Sequence, residues 1–203
     1  MKTIPPVMLR ELQRAELGEA ARLLGRGMCD NPANVRAFRI PDAERRCRAL
    51  ARFFEPVLRG LYQRGLIFGA FRDGTLMGVY GMARPGHCQP TALEKLSVVP
   101  AVVLGNPAGT ALRVLRWAGE WARRDPAEPH WHLGPVAVDS HLQGQAIGGA
   151  MLEAFCARMD DRRALAYLET DKRENVGFYR KFGFTVVAGA EVMGVPNWFM
   201  HRR

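Results

Sequence analysis

The chain has little lysine. Of its 29 basic residues only Lys2, Lys95, Lys172 and Lys181 are lysine, and the rest are arginine. Against 20 acidic residues this leaves a formal net charge of +9 over 203 residues. There is no basic run to match that excess: Arg45-Arg46, Arg123-Arg124, Arg162-Arg163 and Arg202-Arg203 are isolated pairs. Nucleic-acid binders gather their cations on one stripe with aromatic platforms, so no nucleic-acid partner is expected. An anionic small molecule is equally compatible with the charge. Long apolar runs are also missing. The segment 97–104 is short and broken by Pro100, whereas a membrane span needs about 18 apolar residues, so no membrane association is expected. The first residues, Met-Lys-Thr-Ile-Pro-Pro, carry no apolar core of a secretory signal. Cys29, Cys47, Cys88 and Cys156 form no C-x-x-C pair and no zinc spacing, and the five histidines are not at i, i+4 with a Glu. Free thiols in a reducing cytoplasm, with no metal, are the expectation.

What is present is a globular composition, 48% hydrophobic, which excludes global disorder. The length suits a single domain with a core of its own. Period-2 and period-3.6 patterns predict a first strand at 7–13 and a helix at 17–28, then loop to Pro41. A helix capped by Asp42 runs toward Arg64, with Pro56 expected to kink or split it. Strands at 66–72 and 75–82 flank Asp73-Gly74, the strongest hairpin signal in the chain. Helices follow at 91–99 and 110–124, then a strand at 131–138, a helix at 144–158 and a strand at 164–170. A short helix at 175–182, stopped by Gly183, and strands at 184–191 and 197–202 close the chain. The order is that of a mixed α/β (α+β) domain with one βαβ crossover at 131–170 and a helical insertion at about 86–126.

Chemistry concentrates where the strand Leu133-Gly-Pro-Val-Ala-Val138 runs into a glycine-rich turn that opens a helix. Unpaired N–H groups and the helix dipole favour an anion there, and glycine lets a phosphate approach the backbone. The turn is neither a P-loop nor a G-x-G-x-x-G dinucleotide fingerprint with a ribose-binding acid.

It does resemble the acetyl-CoA motif of the GNAT N-acetyltransferase superfamily, Q/R-x-x-G-x-G/A, reading here Gln143-Gly144-Gln145-Ala146-Ile147-Gly148, with Ala146 where the family usually has glycine. A second segment agrees: Tyr167-Leu-Glu-Thr170, then Asn175 and a helix containing Phe178-Tyr179 and ending Gly183-Phe184. The short spacing from Asn175 to Tyr179 looks like the puromycin N-acetyltransferase branch. The resemblance implies a central, largely antiparallel twisted sheet of six to seven strands, with helices on both faces and a splayed strand pair at the cofactor.

The same resemblance implies acetyl-CoA as cofactor, transfer in a ternary complex, and roles for particular residues. Val136, Ala137 and Val138 would pair with the pantetheine arm. Gln143, Gly144, Gln145, Ala146, Ile147, Gly148 and Gly149 would hold the pyrophosphate, with Ala146 expected to keep helical φ/ψ. Asn175, Phe178 and Tyr179 would complete the cofactor site, Asn175 also serving as helix N-cap. Acyl transfer to an amine needs a base for the ammonium, donors for the oxyanion and an acid for the leaving thiolate. Tyr179 matches the family's acid. Glu169, at an expected exposed strand end, is the candidate base and His132 the alternative; a backbone N–H near Val136 or Val138 would serve the oxyanion. A small-molecule amine acceptor is expected, with Trp117, Trp121 and Trp198 as candidate pocket walls and Arg113, Arg116 and Glu120 as a solvated face. The alternatives are a protein N-terminus or lysine as acceptor, and a non-catalytic CoA-binding regulatory module. The expected state is monomer or homodimer, the C-terminal strand being able to pair across a dimer.

Overall fold

The computed structural model describes residues 7–203. A seven-stranded sheet runs β1-β2-β3-β4-β5-β7-β6. The strands are β1 (Met8–Glu11), β2 (Gly65–Arg72), β3 (Thr75–Ala83), β4 (Trp131–Val138), β5 (Ala166–Thr170), β6 (Thr185–Val192) and β7 (Val195–Arg202). Every neighbouring pair is antiparallel except β4 with β5. Asp73 and Gly74 both take positive φ in the tight turn between β2 and β3, as a type I′ hairpin requires.

Among the described residues seven α-helices cover the sheet: α1 (Leu17–Gly27), α2 (Pro32–Phe38), α3 (Ala43–Arg64), α4 (Ala92–Val103), α5 (Thr110–Ala122), α6 (Ile147–Arg162) and α7 (Arg173–Arg180). Two apolar cores result. One joins Leu24 of α1, Phe38 of α2, Leu50 and Phe54 of α3 and Trp117 of α5 to Ile67 and Val79. The other joins Met151, Leu152 and Phe155 of α6 and Tyr179 of α7 to Phe68, Tyr80 and Leu168. The alternation of β2 and β3 supplies both, since Ile67 and Val79 belong to the first core and Phe68 and Tyr80 to the second. None of the described helices is long and apolar enough to cross a membrane.

Several expectations are corrected. The stretch to Pro41 contains α2, which Pro32 opens at its first position and which buries Ala33, Ala37 and Phe38. Pro56 does not split α3: the helix continues to Arg64, and Leu50, Phe53, Phe54, Leu58 and Leu61 pack it into the first core on both sides of the proline. β1 ends at Glu11 because the chain turns at Gln13, whose N–H donates to Glu16 Oε2 at 2.7 Å. β7 lies between β5 and β6, and from Trp198 to His201 both of its edges are paired, so the free edge of the sheet at this end belongs to β6.

Candidate active site

β4 and β5 pair only at Trp131 with Ala166 and His132 with Tyr167. Beyond that point β4 follows β3, with Val136 opposite Tyr80 and Val138 opposite Gly78. β5 instead follows β7, with Thr170 opposite Trp198. The two strands therefore part. The Asp139 N–H donates to Met77 O at 2.9 Å; by the alternation of an antiparallel ladder, Val136 and Val138 turn their N–H and C=O into the gap.

The turn from β4 into α6 is not helical where helix was expected. Gly144 and Ala146 have φ of 80° and 61°, and α6 starts only at Ile147. Ala146 thus sits in the left-handed region rather than keeping helical φ/ψ, a conformation that costs an L-residue about 1–2 kcal/mol. The N–H groups of Ile147, Gly148 and Gly149 open the helix without intrahelical partners. Gln143 lies against its own turn, its amide near the carbonyls of Gly27 (3.5 Å) and Val138 (3.4 Å).

Gap and turn open into one groove of about 580 Å³. All the residues expected at the cofactor line it except Gln145: Val136, Ala137, Val138, Gln143, Gly144, Ala146, Ile147, Gly148, Gly149, Asn175, Phe178 and Tyr179. The sequence reading missed Lys172 and Lys181, which also line it. Lysine's scarcity was the available signal, since two of the four fall here. Asn175 is not an N-cap. Lys172 holds that position, and Asn175 lies inside α7 with its amide donating to Thr170 Oγ1 at 3.3 Å.

A second cavity, about 260 Å³, opens on the α5 side. Its apolar walls are Met28, Phe53, Phe54, Val57, Trp117 and Trp121. The two indoles pack edge to face with centroids 4.9 Å apart, and Trp121 Nε1 donates to Asn197 Oδ1 at 2.9 Å. Trp198 is not a wall; it packs against the second core. Nor is Arg113 simply solvated: its Nε donates to Ala37 O at 2.6 Å, tying α5 to α2, while Glu120 pairs with Arg123 and Arg124. The missed polar wall is Asp171, which is buried and accepts from the Ala33 N–H at 2.6 Å. Burial raises its carboxyl above the ordinary value.

The groove and the cavity share Met28, Asn31, Val136, Asn175 and Tyr179. Tyr179 is buried, and its phenol is raised well above the usual value, first by burial and then by the charge of Asp171. It therefore stays protonated at neutral pH and can donate. Glu169 is not at an exposed strand end. Its side chain is only 3% exposed, with Oε2 2.8 Å from His132 Nε2 and Oε1 without a partner. Burial alone would lower the His132 pKa, but the Glu169 carboxylate, with Asp125 beyond it, outweighs burial and raises it. At the mouth of the β4–α6 turn Asp139 accepts from Arg26 Nε at 3.1 Å. Burial opposes the ionised carboxyl, yet the guanidinium holds it below its ordinary pKa.

Among the described residues the sheet parts at its one parallel pair, and the free N-terminus of α6 lies beside the opening. The model of the acetyltransferase (GNAT) family matches residues 36–184, and the chain belongs to that family: it is an acetyltransferase. The fold is shared with solved structures. One, described as histone acetyltransferase HPA2 and related acetyltransferase from Corynebacterium glutamicum, is 22% identical over 97% of this chain and 95% of its own, with a TM-score of 0.71. The ribosomal-protein-S18-alanine N-acetyltransferase from Escherichia coli is 15% identical over 97% and 93%, with a TM-score of 0.58. The PaiA N-acetyltransferase from Thermoplasma acidophilum, solved in complex with coenzyme A, is 14% identical over 98% and 99%, with a TM-score of 0.56.

Proposed function

We propose that this acetyltransferase uses acetyl-CoA to acetylate the primary amine of a small, largely apolar molecule, by direct transfer with both substrates bound. The observation that carries the reading is the meeting of the groove and the cavity at Tyr179, Val136 and Asn175. The residues present fit the cofactor. The unpaired N–H groups of Ile147, Gly148 and Gly149 suit a pyrophosphate, Lys181 adds positive charge at the groove while Lys172 there is paired with Asp30 at 2.9 Å, and the Val136 and Val138 backbone suits an amide-bearing arm. When bound, acetyl-CoA supplies an activated acetyl group.

This chain's own residues do the rest. The apolar walls bury the acceptor's body and exclude water. Glu169, through its unpartnered Oε1, takes a proton from the acceptor's ammonium, leaving the nitrogen lone pair free to attack. Tyr179 Oη, held protonated by burial, would give its proton to the departing sulfur at the junction, and the second proton lost from the nitrogen as the amide forms would restore the phenol. The Val136 and Val138 N–H groups are placed to stabilise negative charge on the acyl oxygen. The cavity's aromatic lining and its size favour a small molecule over an extended peptide.

Free-thiol release from acetyl-CoA, measured across arylalkyl amines, polyamines and peptides with free N-termini, tests this. Turnover is expected with the arylalkyl amines. Turnover with peptides alone would overturn the acceptor class. Tight coenzyme A binding with no acceptor, and no effect of Tyr179→Phe, would point to a regulatory module instead.

A further inference from the structure

We propose that Cys88, Asp125, His130 and His132 form a site for one divalent cation of borderline softness, of which Zn²⁺ is the best fit, placed where the α4–α5 segment rejoins the sheet beside Glu169. None of these residues lines the cofactor groove, and only His132 reaches the acceptor cavity.

The two imidazoles carry the inference. Each has one nitrogen engaged and the other idle. His132 Nε2 meets Glu169 Oε2 at 2.8 Å, and His130 Nδ1 meets the Glu128 carbonyl at 2.9 Å. A metal-ligating histidine uses its non-ligating nitrogen in this way, donating to a carboxylate or a backbone carbonyl. The remaining nitrogens, His132 Nδ1 and His130 Nε2, are buried without partners. Asp125 repeats the pattern: Oδ2 accepts from the Gln89 amide, and Oδ1 is buried without a partner. His132 Nδ1 and Asp125 Oδ1 face each other at 3.6 Å, an ion-pair distance longer than a hydrogen bond, and a cation shared with His130 Nε2 would satisfy all three atoms, each unmade hydrogen bond costing about 1–3 kcal/mol.

The spacing suits a small ion. Cys88, His130 and His132 each bring a ligand-type atom within 4.8 Å of the other two, while Asp125 clusters with His132 and Glu169 rather than with Cys88 or His130, so it joins the ion by turning its carboxylate. Asp125 Oδ1 stands 3.6 Å from His132 Nδ1, within the roughly 3.3–3.8 Å that separates ligand atoms on a tetrahedral zinc. One sulfur, two imidazole nitrogens and one carboxylate oxygen is a zinc donor set, whereas Mg²⁺ and Ca²⁺ take oxygen. On binding, the Cys88 S–H bond breaks, an S–Zn bond forms and the proton passes to solvent. Thiolate and carboxylate together neutralise the dication. The nearby Arg64 guanidinium is already engaged, by Glu94 and by the carbonyls of His87 and Cys88. The ion ties the Cys88 loop and the exit of α5 to the start of β4. It also holds the His132 ring with Nε2–H on Glu169 Oε2, which leaves Oε1 free. The ligand positions, 88, 125, 130 and 132, follow no zinc spacing, and so the linear pattern hides them.

The test uses the full chain after dialysis against a chelator. Zn²⁺ is titrated in competition with a chromophoric chelator, and Co²⁺ is followed by absorption. The expected result is one Zn²⁺ per chain, a raised Tm, and a Co²⁺ adduct with a thiolate-to-cobalt charge-transfer band. Cys88→Ser should remove that band, and Cys88→Ser and His130→Ala should each weaken Zn²⁺ by about a hundredfold, with Glu169→Gln costing about tenfold. Cys47→Ser should change none of these, and far-UV circular dichroism checks that each variant is folded. Absence of stoichiometric Zn²⁺ binding, a Co²⁺ adduct without the thiolate band, or unchanged binding in folded Cys88→Ser and His130→Ala would overturn the proposal.

Discussion

The cofactor groove and the acceptor cavity share a border at Tyr179 yet are built by different means. The groove comes from two short stretches, Val136–Gly149 and Lys172–Lys181, with few additions from elsewhere, and it works largely through backbone N–H and C=O groups. The cavity draws on the α1–α2 turn, α2, α3, α5, β4, β5 and α7 and works through side chains. A backbone site constrains which residues may stand in it, because glycine and turn geometry are demanded at fixed offsets. A side-chain site constrains only the final shape, which many sequences can meet.

The sharpest way to break this comparison is Tyr179→Phe, since that hydroxyl belongs to both sides. It should cut kcat by about 10²–10⁴, the usual worth of a general acid, while coenzyme A affinity by thermal shift stays near wild type. A large loss of coenzyme A binding would make Tyr179 a cofactor residue only. Trp117→Ala acts on the cavity alone. Removing this buried wall should cost about 3–5 kcal/mol of stability by denaturant unfolding, raise KM for the acceptor and spare KM for acetyl-CoA. Ala146→Gly acts on the groove alone. Relief of the left-handed strain should stabilise by about 1 kcal/mol, raising Tm by about 2–4 °C, with cofactor affinity equal or tighter. The smallest effect is present at neutral pH and disappears in acid. The Asp139 carboxyl is held below its ordinary value by Arg26, so its stabilisation is present above the unfolded pKa of about 3.9 and is lost as pH falls through the lower folded value. Asp139→Asn should therefore flatten the acid side of a Tm–pH curve and lower the plateau above it.

The groove was largely legible beforehand. Gly144, Gly148 and Gly149 after an apolar strand, then Asn175 and Tyr179, stand close enough in the chain for their spacing to carry meaning. Its errors were conformational: the helix was started three residues early because Ala146 reads as a helix former, whereas the turn holds it at positive φ. Glu169 was identified as a candidate but placed in solvent. A strand's own pattern does not reveal that an imidazole 37 residues earlier in the chain will cover the side chain. Asp171 and Trp198 were misjudged or missed for the same reason, since which face of a strand or loop is enclosed depends on what packs there.

By itself the sequence determined the strands and every helix but α2, their order, the Asp73-Gly74 hairpin and the phosphate-type turn, because periodicity and turn chemistry are local. Only the tertiary structure decided the rest. It parts β4 from β5 after two residue pairs, closes the tryptophan-walled cavity beneath α5, and gathers Cys88, Asp125, His130 and His132 beside Glu169. Each of these depends on contacts between residues far apart in the chain, and no local preference encodes which distant group will satisfy a buried polar atom.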